Sequence, residues 1–404
     1  MGSQIDIAVI GGGILGVILA RLAAERGWRT VLFRMSDART PNADTLRNQS
    51  WLQSGLRYIR IDKVLATKMW VHGRRMHEFF AMKPPEGHGV IQVGSDEEAA
   101  AIYEDAEELG VRSQIRELAP EAARLLLGPL HCKSGVAFET PECPFEEALL
   151  LNEARETARA AGAELREVSE PVELLPIPQL NPSHRLRVDG REIEAGVTVL
   201  AAGAGNVPLL KSLSRTMRLE LRQTPLLVVP GEPLIQCPIL LDRSAGLSVV
   251  AHRPGTCRSD GCMVIGTDVL EESVEYCLPA MRRVGAPIRE DFCRKLPSCI
   301  RERLAQARFT AGQEPIPYKD GVRLQAIGPW IETVDGHPDV IVALPGRATL
   351  ALHAAESVVE KISSDAPKAK THDSCTLPGE DWSNRIKIHM HYEEQYDGMN
   401  DSCE

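Results

Sequence analysis

The stretch "IAVIGGGILGVILARLAAERGWRTVLFR", residues 7–34, decides the fold. Ile7–Ile10 is a short apolar run and reads as a buried parallel strand. Gly11, Gly13 and Gly16 follow in G-x-G-x-x-G spacing. Apolar residues then recur at Ile14, Leu15, Ile18, Leu19, Leu22 and Ala23, which is a helical period; Gly27 ends the helix and Thr30–Phe33 makes a second strand. In such a unit the first glycine permits a tight turn. The second lets a pyrophosphate approach the backbone, and the third lets the helix lie close on the strand. The helix N-terminus offers unpaired N–H groups and a partial positive charge to phosphate. Six residues alone are weak evidence, but strand, glycines, amphipathic helix and second strand in order specify a dinucleotide site.

One position departs from this pattern. The end of the second strand usually carries an acid for the ribose hydroxyls, and here it carries Arg34, which cannot accept a hydrogen bond. Three readings stay open at this point. Arg34 accepts a 2′-phosphate, which means NADP. Or it lies across the adenine while Ser36, Asp37 or backbone groups serve the ribose. Or it is solvated and the dinucleotide binds less tightly.

The chain has 404 residues, 43% hydrophobic and 25% charged, enough for a large core. A net charge of −10 argues against nucleic acid as a main partner. Residues 365–404 hold nine acids and four bases, so half of that charge lies in the last tenth of the chain. No apolar run reaches the ~18 residues of a membrane span. Ile7–Ala20 lacks the basic flank of a signal peptide and is better explained by the nucleotide unit, so a cytoplasmic protein is expected. The ten cysteines follow no framework, and neither Cys257/Cys262 nor Cys293/Cys299 has metal-like spacing; free thiols are expected.

Further along, a helix is expected from Lys63 to Phe80. "GVIQVGSDEEAAAIYEDAEELG" reads as a strand, a cap at Ser95 and a helix whose first turn is acidic. Another short helix follows Ala119, "SGVAFETPE" is a strand pattern, and a long amphipathic helix ends at Gly162. Asp189-Gly190 turns a hairpin, after which Val197–Ala201 is a buried strand meeting small residues. Asp339–Ile362 is again strand, turn and helix. Three dispersed α/β segments point to one nucleotide domain interrupted by insertions. In the tail, "IKIHMHY", Ile386–Tyr392, alternates with period two; it suits an edge strand or a partner surface, and His389 and His391 lack a third ligand nearby. No metal site is expected.

The order GGGILG, "TLRNQSWLQSGLRY", "VLAAGAG" and "VALPGRATL" resembles the flavoproteins of the D-amino-acid oxidase fold, nearest to the L-2-hydroxyglutarate and glycerol-3-phosphate dehydrogenase branch. The likeness covers about residues 5–362 in segment order. It implies an α/β fold in which a Rossmann-like, glutathione-reductase-like FAD-binding domain (1–80, 145–216 and 311–362) is interleaved with a β-rich substrate domain (81–144 and 217–310). The acidic tail, 363–404, has no counterpart. The resemblance implies FAD with Gly11, Gly13, Ile14, Leu15 and Gly16 at the pyrophosphate and Arg34 near the adenosine. Arg47, Asn48, Gln49 and Ser50 would run toward the ring. Val172 would meet the adenine, Ala202 and Gly203 the dinucleotide, and Gly346, Arg347, Ala348, Thr349 and Leu350 the flavin pyrimidine. The second and third segments favour FAD over NADP.

The branch has His where this chain has Gln53, and an aromatic where it has Arg57. Hydride removal from a carbon bearing a hydroxyl needs a base for the O–H proton; histidine serves near neutral pH and Gln53 does not. A neutral amine needs no strong base, because its lone pair expels the hydride. The expected activity is therefore an FAD-dependent oxidoreductase acting on a small amino or hydroxy acid, tilted toward amines unless His252, His337 or His353 serves as base. Arg57, Tyr58, Tyr318, Arg323 and Arg347 are candidates for clamping a substrate carboxylate, with Gln53, Arg57, Tyr58 and Arg323 assigned to the catalytic pocket. The second reading is a degenerate flavin scaffold that binds or regulates a protein partner through its tail.

Overall fold

The strand Ile5–Ile10 lies at the centre of an eight-stranded sheet, between two parallel neighbours. On one side is Thr30–Met35, followed by Glu164–Val168; on the other is Arg191–Leu200, followed by His337–Leu344. Trp330–Val334 closes that end antiparallel, and the hairpin strand His184–Val188 also pairs with Arg191–Leu200. This is a computed structural model; it describes residues 5–35, 51–80, 89–131, 135–144, 147–175, 184–214, 216–235, 239–242, 247–252, 261–267, 271–274, 286–296, 298–324 and 328–365. Arg47, Asn48, Gln49, Ser50, Ser36, Asp37, Cys257, His389 and His391 lie outside the described residues.

The central strand is covered on both faces, which explains its unbroken apolar run. One face packs on helices Ile14–Glu25, Glu147–Ala160 and Ala351–Asp365, through Val9, Ile18, Leu151, Ala154, Ala355 and Val358. The other face packs Ile10, Phe33, Leu186 and Leu200 with Leu210 of helix Asn206–Leu213. The hairpin turns at Asp189 (φ 46°) and Gly190 (φ 76°), both in the left-handed region that a two-residue turn of this kind requires.

A ten-stranded second sheet is built around the long antiparallel pair Met217–Pro230 and Arg308–Lys319. Gly89–Val93 and Val136–Thr140 join it at the far end. The sequence places residues 311–319 with the nucleotide segments. Instead, Arg308–Lys319 pairs along its whole length with Met217–Pro230, so this stretch belongs to the second sheet. Its β-branched and proline-rich character carries no sign of which sheet it joins.

Local signals fall where they are expected. Ser95 caps helix Asp96–Glu108 by accepting from the Glu98 N–H, and Asp62 caps helix Lys63–Phe79 by accepting from Leu65. Cys262, Cys293 and Cys299 are free thiols. Among the described residues no helix is long and apolar enough to cross a membrane.

Candidate active site

Parallel strands deliver their C-terminal ends to one edge of a sheet, and open α/β sheets bind ligands beyond that edge. Here the edge carries, in spatial order, Arg34, Gly11, Ala201–Gly203 and, after Leu344, Gly346–Leu350. Four adjacent strands span about 14 Å at ~4.8 Å each.

The glycines are where the chain leaves no room. A Cβ on Gly16 would run into the Gly11 carbonyl oxygen, and one on Gly11 into the backbone of Ala201 and Ala202. Gly11 also sits at φ 127°, which L side chains rarely adopt. Gly13 is the N-cap of helix Ile14–Glu25 and makes no side-chain cap, so no capping side chain occupies the positive end of the helix, where a phosphate is favoured. Asn206, fully buried, fixes the facing strand end: its Nδ2 donates to Leu200 O (3.1 Å) and its Oδ1 accepts from the Ala202 N–H (3.0 Å). Gly203 then turns away at φ 57°. Val172 is buried in the apolar layer beyond the end of Glu164–Val168, so only its backbone offers polar groups.

Arg34 is neither solvated nor open to a 2′-phosphate on its own. Its guanidinium donates to Glu167 (3.0 Å), directly opposite on the neighbouring strand. The stem of Arg34 lies over Gly12, whose Cβ would come within 2.6 Å of it. The acid missing from the second strand thus stands on the adjacent one.

The second group of residues surrounds the turn after Leu344. Thr349, buried in the short 3₁₀ turn Ala348–Leu350, accepts from the Gln53 N–H (3.1 Å). Gly73 on helix Lys63–Phe79 allows this closeness, because a Cβ there would press on the Thr349 methyl at 3.0 Å. The Gln53 side-chain Oε1 is buried and has no hydrogen-bond partner. Ser54, next in sequence, donates from N–H (3.0 Å) and hydroxyl (2.7 Å) to the two oxygens of Glu142. Burial pushes the Glu142 carboxyl up to about 7, against the lowering effect of the Ser54 hydrogen bonds and of Arg57. Arg57 therefore faces Glu142 electrostatically.

Tyr58 turns back toward Arg347, whose Nε donates to the Tyr58 hydroxyl (3.3 Å). Arg347 also pairs with Glu314, and Glu314 accepts from Arg222 Nη2 (2.6 Å) and Nε (3.1 Å). Burial alone would raise the Glu314 carboxyl, but Arg347 and Arg222 outweigh it and hold it below the usual range. Burial works against the Arg347 charge, and Tyr58 and Glu314 outweigh that in turn, so its pKa is raised. Arg222 and Glu314 are opposite one another in the long antiparallel pair. This cluster ties the second sheet to the strand–turn–helix of the first and leaves a net charge of +1. Its two second-sheet members were not singled out in the sequence, since period-two alternation marks a face but not which residue stands across from which.

Other expected residues stand apart from this cluster. Arg323 is exposed on a two-residue edge strand opposite Tyr318, roughly 13 Å along the sheet from Glu314 at ~3.3 Å per residue. Tyr318 packs instead against Arg218 (4.8 Å, guanidinium to ring centroid). His337 begins the strand whose other end reaches the site, roughly 23 Å away by the same rise. His353 stacks on His72. For His252 only its strand position, opposite Cys262, is described.

A family model described as FAD dependent oxidoreductase matches residues 6–357, and the chain belongs to that family. No curated protein matches it. Solved structures similar to it include iminodiacetate oxidase from Chelativorans sp. BNC1, with 17% identity over 89% of this chain and 96% of that one and a TM-score of 0.66. Glycine oxidase from Geobacillus kaustophilus is similar at 17% identity over 93% and 99%, with a TM-score of 0.62. L-alpha-glycerophosphate oxidase from Mycoplasma pneumoniae, with FAD bound, is similar at 14% identity over 89% and 95%, with a TM-score of 0.66. At such identities the likeness establishes the fold. The protein is an FAD-dependent oxidoreductase of the D-amino-acid oxidase fold. The residues present fit that cofactor: the Gly11–Gly16 cradle admits a backbone-close diphosphate, and the Gln53 acceptor is buried without a partner.

Two outcomes follow. Arg34→Glu sets two carboxylates side by side at the end of the second strand and is expected to weaken FAD reconstitution roughly fivefold, the equivalent of ~1 kcal/mol for such a pair. The exchange Arg34→Glu with Glu167→Arg recovers it, as read by titrating apoprotein with FAD; tightening by Arg34→Glu alone would contradict the pairing. For Glu142, the folded carboxyl keeps its proton to about pH 7 and the unfolded one to about 4.5. The stability it contributes is thus complete below about 4.5 and lost as pH rises through about 7. That amounts to ~3 kcal/mol, so denaturant midpoints of the wild type should fall across this window while those of Glu142→Gln stay flat.

Proposed function

We propose that the protein oxidises the C–N bond of a small amino acid or related amine carboxylate, with Gln53 and the Arg222–Glu314–Arg347 cluster lining the substrate side of the flavin. The observation that carries this reading is Gln53: its Oε1 is buried without a hydrogen-bond partner, at the position where the resembling dehydrogenases have a base. An amide oxygen accepts a substrate N–H but does not remove a proton. Of the candidate bases, His337 stands at the far strand end and His353 is engaged with His72. A neutral amine tolerates this, because its nitrogen lone pair assists departure of the hydride; an alcohol does not.

FAD, when bound, supplies the hydride acceptor at N5. The chain's own residues do the rest. The 3₁₀ turn and helix beginning at Ala348 would hold the flavin pyrimidine at their N-terminal end, where the helix dipole favours negative charge. Thr349 holds the Gln53 backbone, and the Ser54–Glu142 pair holds the following turn, so Gln53 is fixed from both sides. The net positive charge of Arg222, Glu314 and Arg347 selects an anionic substrate, and Tyr58 orients Arg347. Similarity to iminodiacetate oxidase and glycine oxidase supports an amine substrate, and similarity to a glycerophosphate oxidase keeps a hydroxyl substrate as the competing outcome.

The test is an anaerobic titration of the yellow protein with amino acids, N-substituted glycines and 2-hydroxy acids. Bleaching near ~450 nm by amines alone is expected, and bleaching only by hydroxy acids would overturn the assignment. Gln53→His should retain flavin and gain measurable 2-hydroxy-acid oxidation. Loss of flavin in that variant would make Gln53 a structural residue.

A further inference from the structure

Helices Lys63–Phe79 and Ala351–Asp365 meet in a cluster that the flavin reading does not use. His72, buried on the first helix, stacks on His353 of the second, with ring centroids 4.1 Å apart and 17° between planes. Glu356 lies one turn beyond His353, on the same helix face. One donor atom each from His72, His353 and Glu356 lies within 4.8 Å of the others. Donors around a tetrahedral ion with bonds of ~2.1 Å are about 3.4 Å apart, so closure draws the donors together by about an ångström and turns one imidazole out of the stack, because stacked rings aim their in-plane lone pairs side by side.

Arg75 is the group that now bridges these residues. It donates to both oxygens of Glu356, from Nη1 to Oε2 (2.8 Å) and from Nη2 to Oε1, and approaches His72 Nδ1 at 3.3 Å. Arginine only donates, so Nδ1 is the acceptor in that contact and its lone pair faces a cation already. A metal ion would displace Arg75 Nη1 from that lone pair and from Glu356 Oε2, while Nη2 remains on Oε1. An outer hydrogen-bond partner on a ligating carboxylate is the ordinary support of such a site.

We infer that His72, His353 and Glu356 form a binding site for one divalent transition ion of the zinc class. Two imidazoles and one carboxylate suit Zn²⁺ or Co²⁺ rather than Ca²⁺ or Mg²⁺, which take oxygen ligands. No sequence motif announces the site, because its ligands come from the two ends of the main unit. Its place gives it a consequence. Gly73, adjacent to His72, packs on Thr349, and Thr349 closes the turn from which the second helix starts. An ion here staples the two helices that position Gln53 and the flavin-facing turn, and raises the thermal midpoint by mass action.

The experiment is a calorimetric Zn²⁺ titration of the full-length holoprotein, run beside His72→Gln, His353→Gln and the tail variant His389→Ala/His391→Ala. One site per chain is expected, weakened at least about tenfold by either cluster substitution and unchanged in the tail variant. Because His72 is buried, a measurement on the unaltered protein accompanies it: Zn²⁺ should slow modification of His353 by diethyl pyrocarbonate, mapped by mass spectrometry. Zinc binding that is indifferent to His353→Gln, or a His353 modification rate unchanged by Zn²⁺, would overturn the site.

Discussion

The contact between Gly16 and the Gly11 carbonyl governs the rest of the structure. It lets helix Ile14–Glu25 start directly against the central strand, which places the positive end of a helix without a side-chain cap at the sheet edge. The same tightness brings Ala201–Ala202 against Gly11, so two strand ends and a helix end converge on one small volume. Asn206 holds the third side by satisfying both the last strand carbonyl and the next N–H. A buried side chain making both bonds leaves the strand end little freedom, and losing it would strand two buried backbone groups. The cradle is therefore rigid before any ligand arrives, which lowers the entropy that binding must overcome.

The substrate side follows a different logic. A half-buried Arg–Glu–Arg cluster is a poor way to gain stability, because desolvation of three charges consumes most of their attraction. The cluster makes sense as placement of charge. Glu314 fixes two guanidiniums from different sheets and cancels only one of them. What remains is a positive charge held in position by packing, next to a turn pinned by Ser54 and Glu142. Under the proposed function this fixed charge serves an anionic substrate, and Arg323 lies apart from it on the sheet edge.

The nucleotide half was legible in the sequence because its signals are local: a strand run, three glycines, a helical period, and later a strand ending in small residues. Capping at Ser95 and the Asp189-Gly190 turn were legible for the same reason. What was not legible depends on pairing between distant strands. Arg34 acquires its meaning from Glu167, 133 residues away, and Glu314 from Arg222, 92 residues away. Residues 311–319 were grouped with the nucleotide segments, whereas Arg308–Lys319 pairs with Met217–Pro230, since hydrophobic alternation fixes a face and not a neighbour. Gln53 was legible only against a resemblance, as the amide standing where a base is usual.

The central claim is that the glycine cradle holds FAD, and one spectrum tests it most directly. The wild-type protein should be yellow as purified and release FAD on denaturation. Gly16→Ala should retain secondary structure by circular dichroism and carry little or no flavin. An equally yellow Gly16→Ala protein, or a wild type that neither carries nor takes up FAD, would contradict the account.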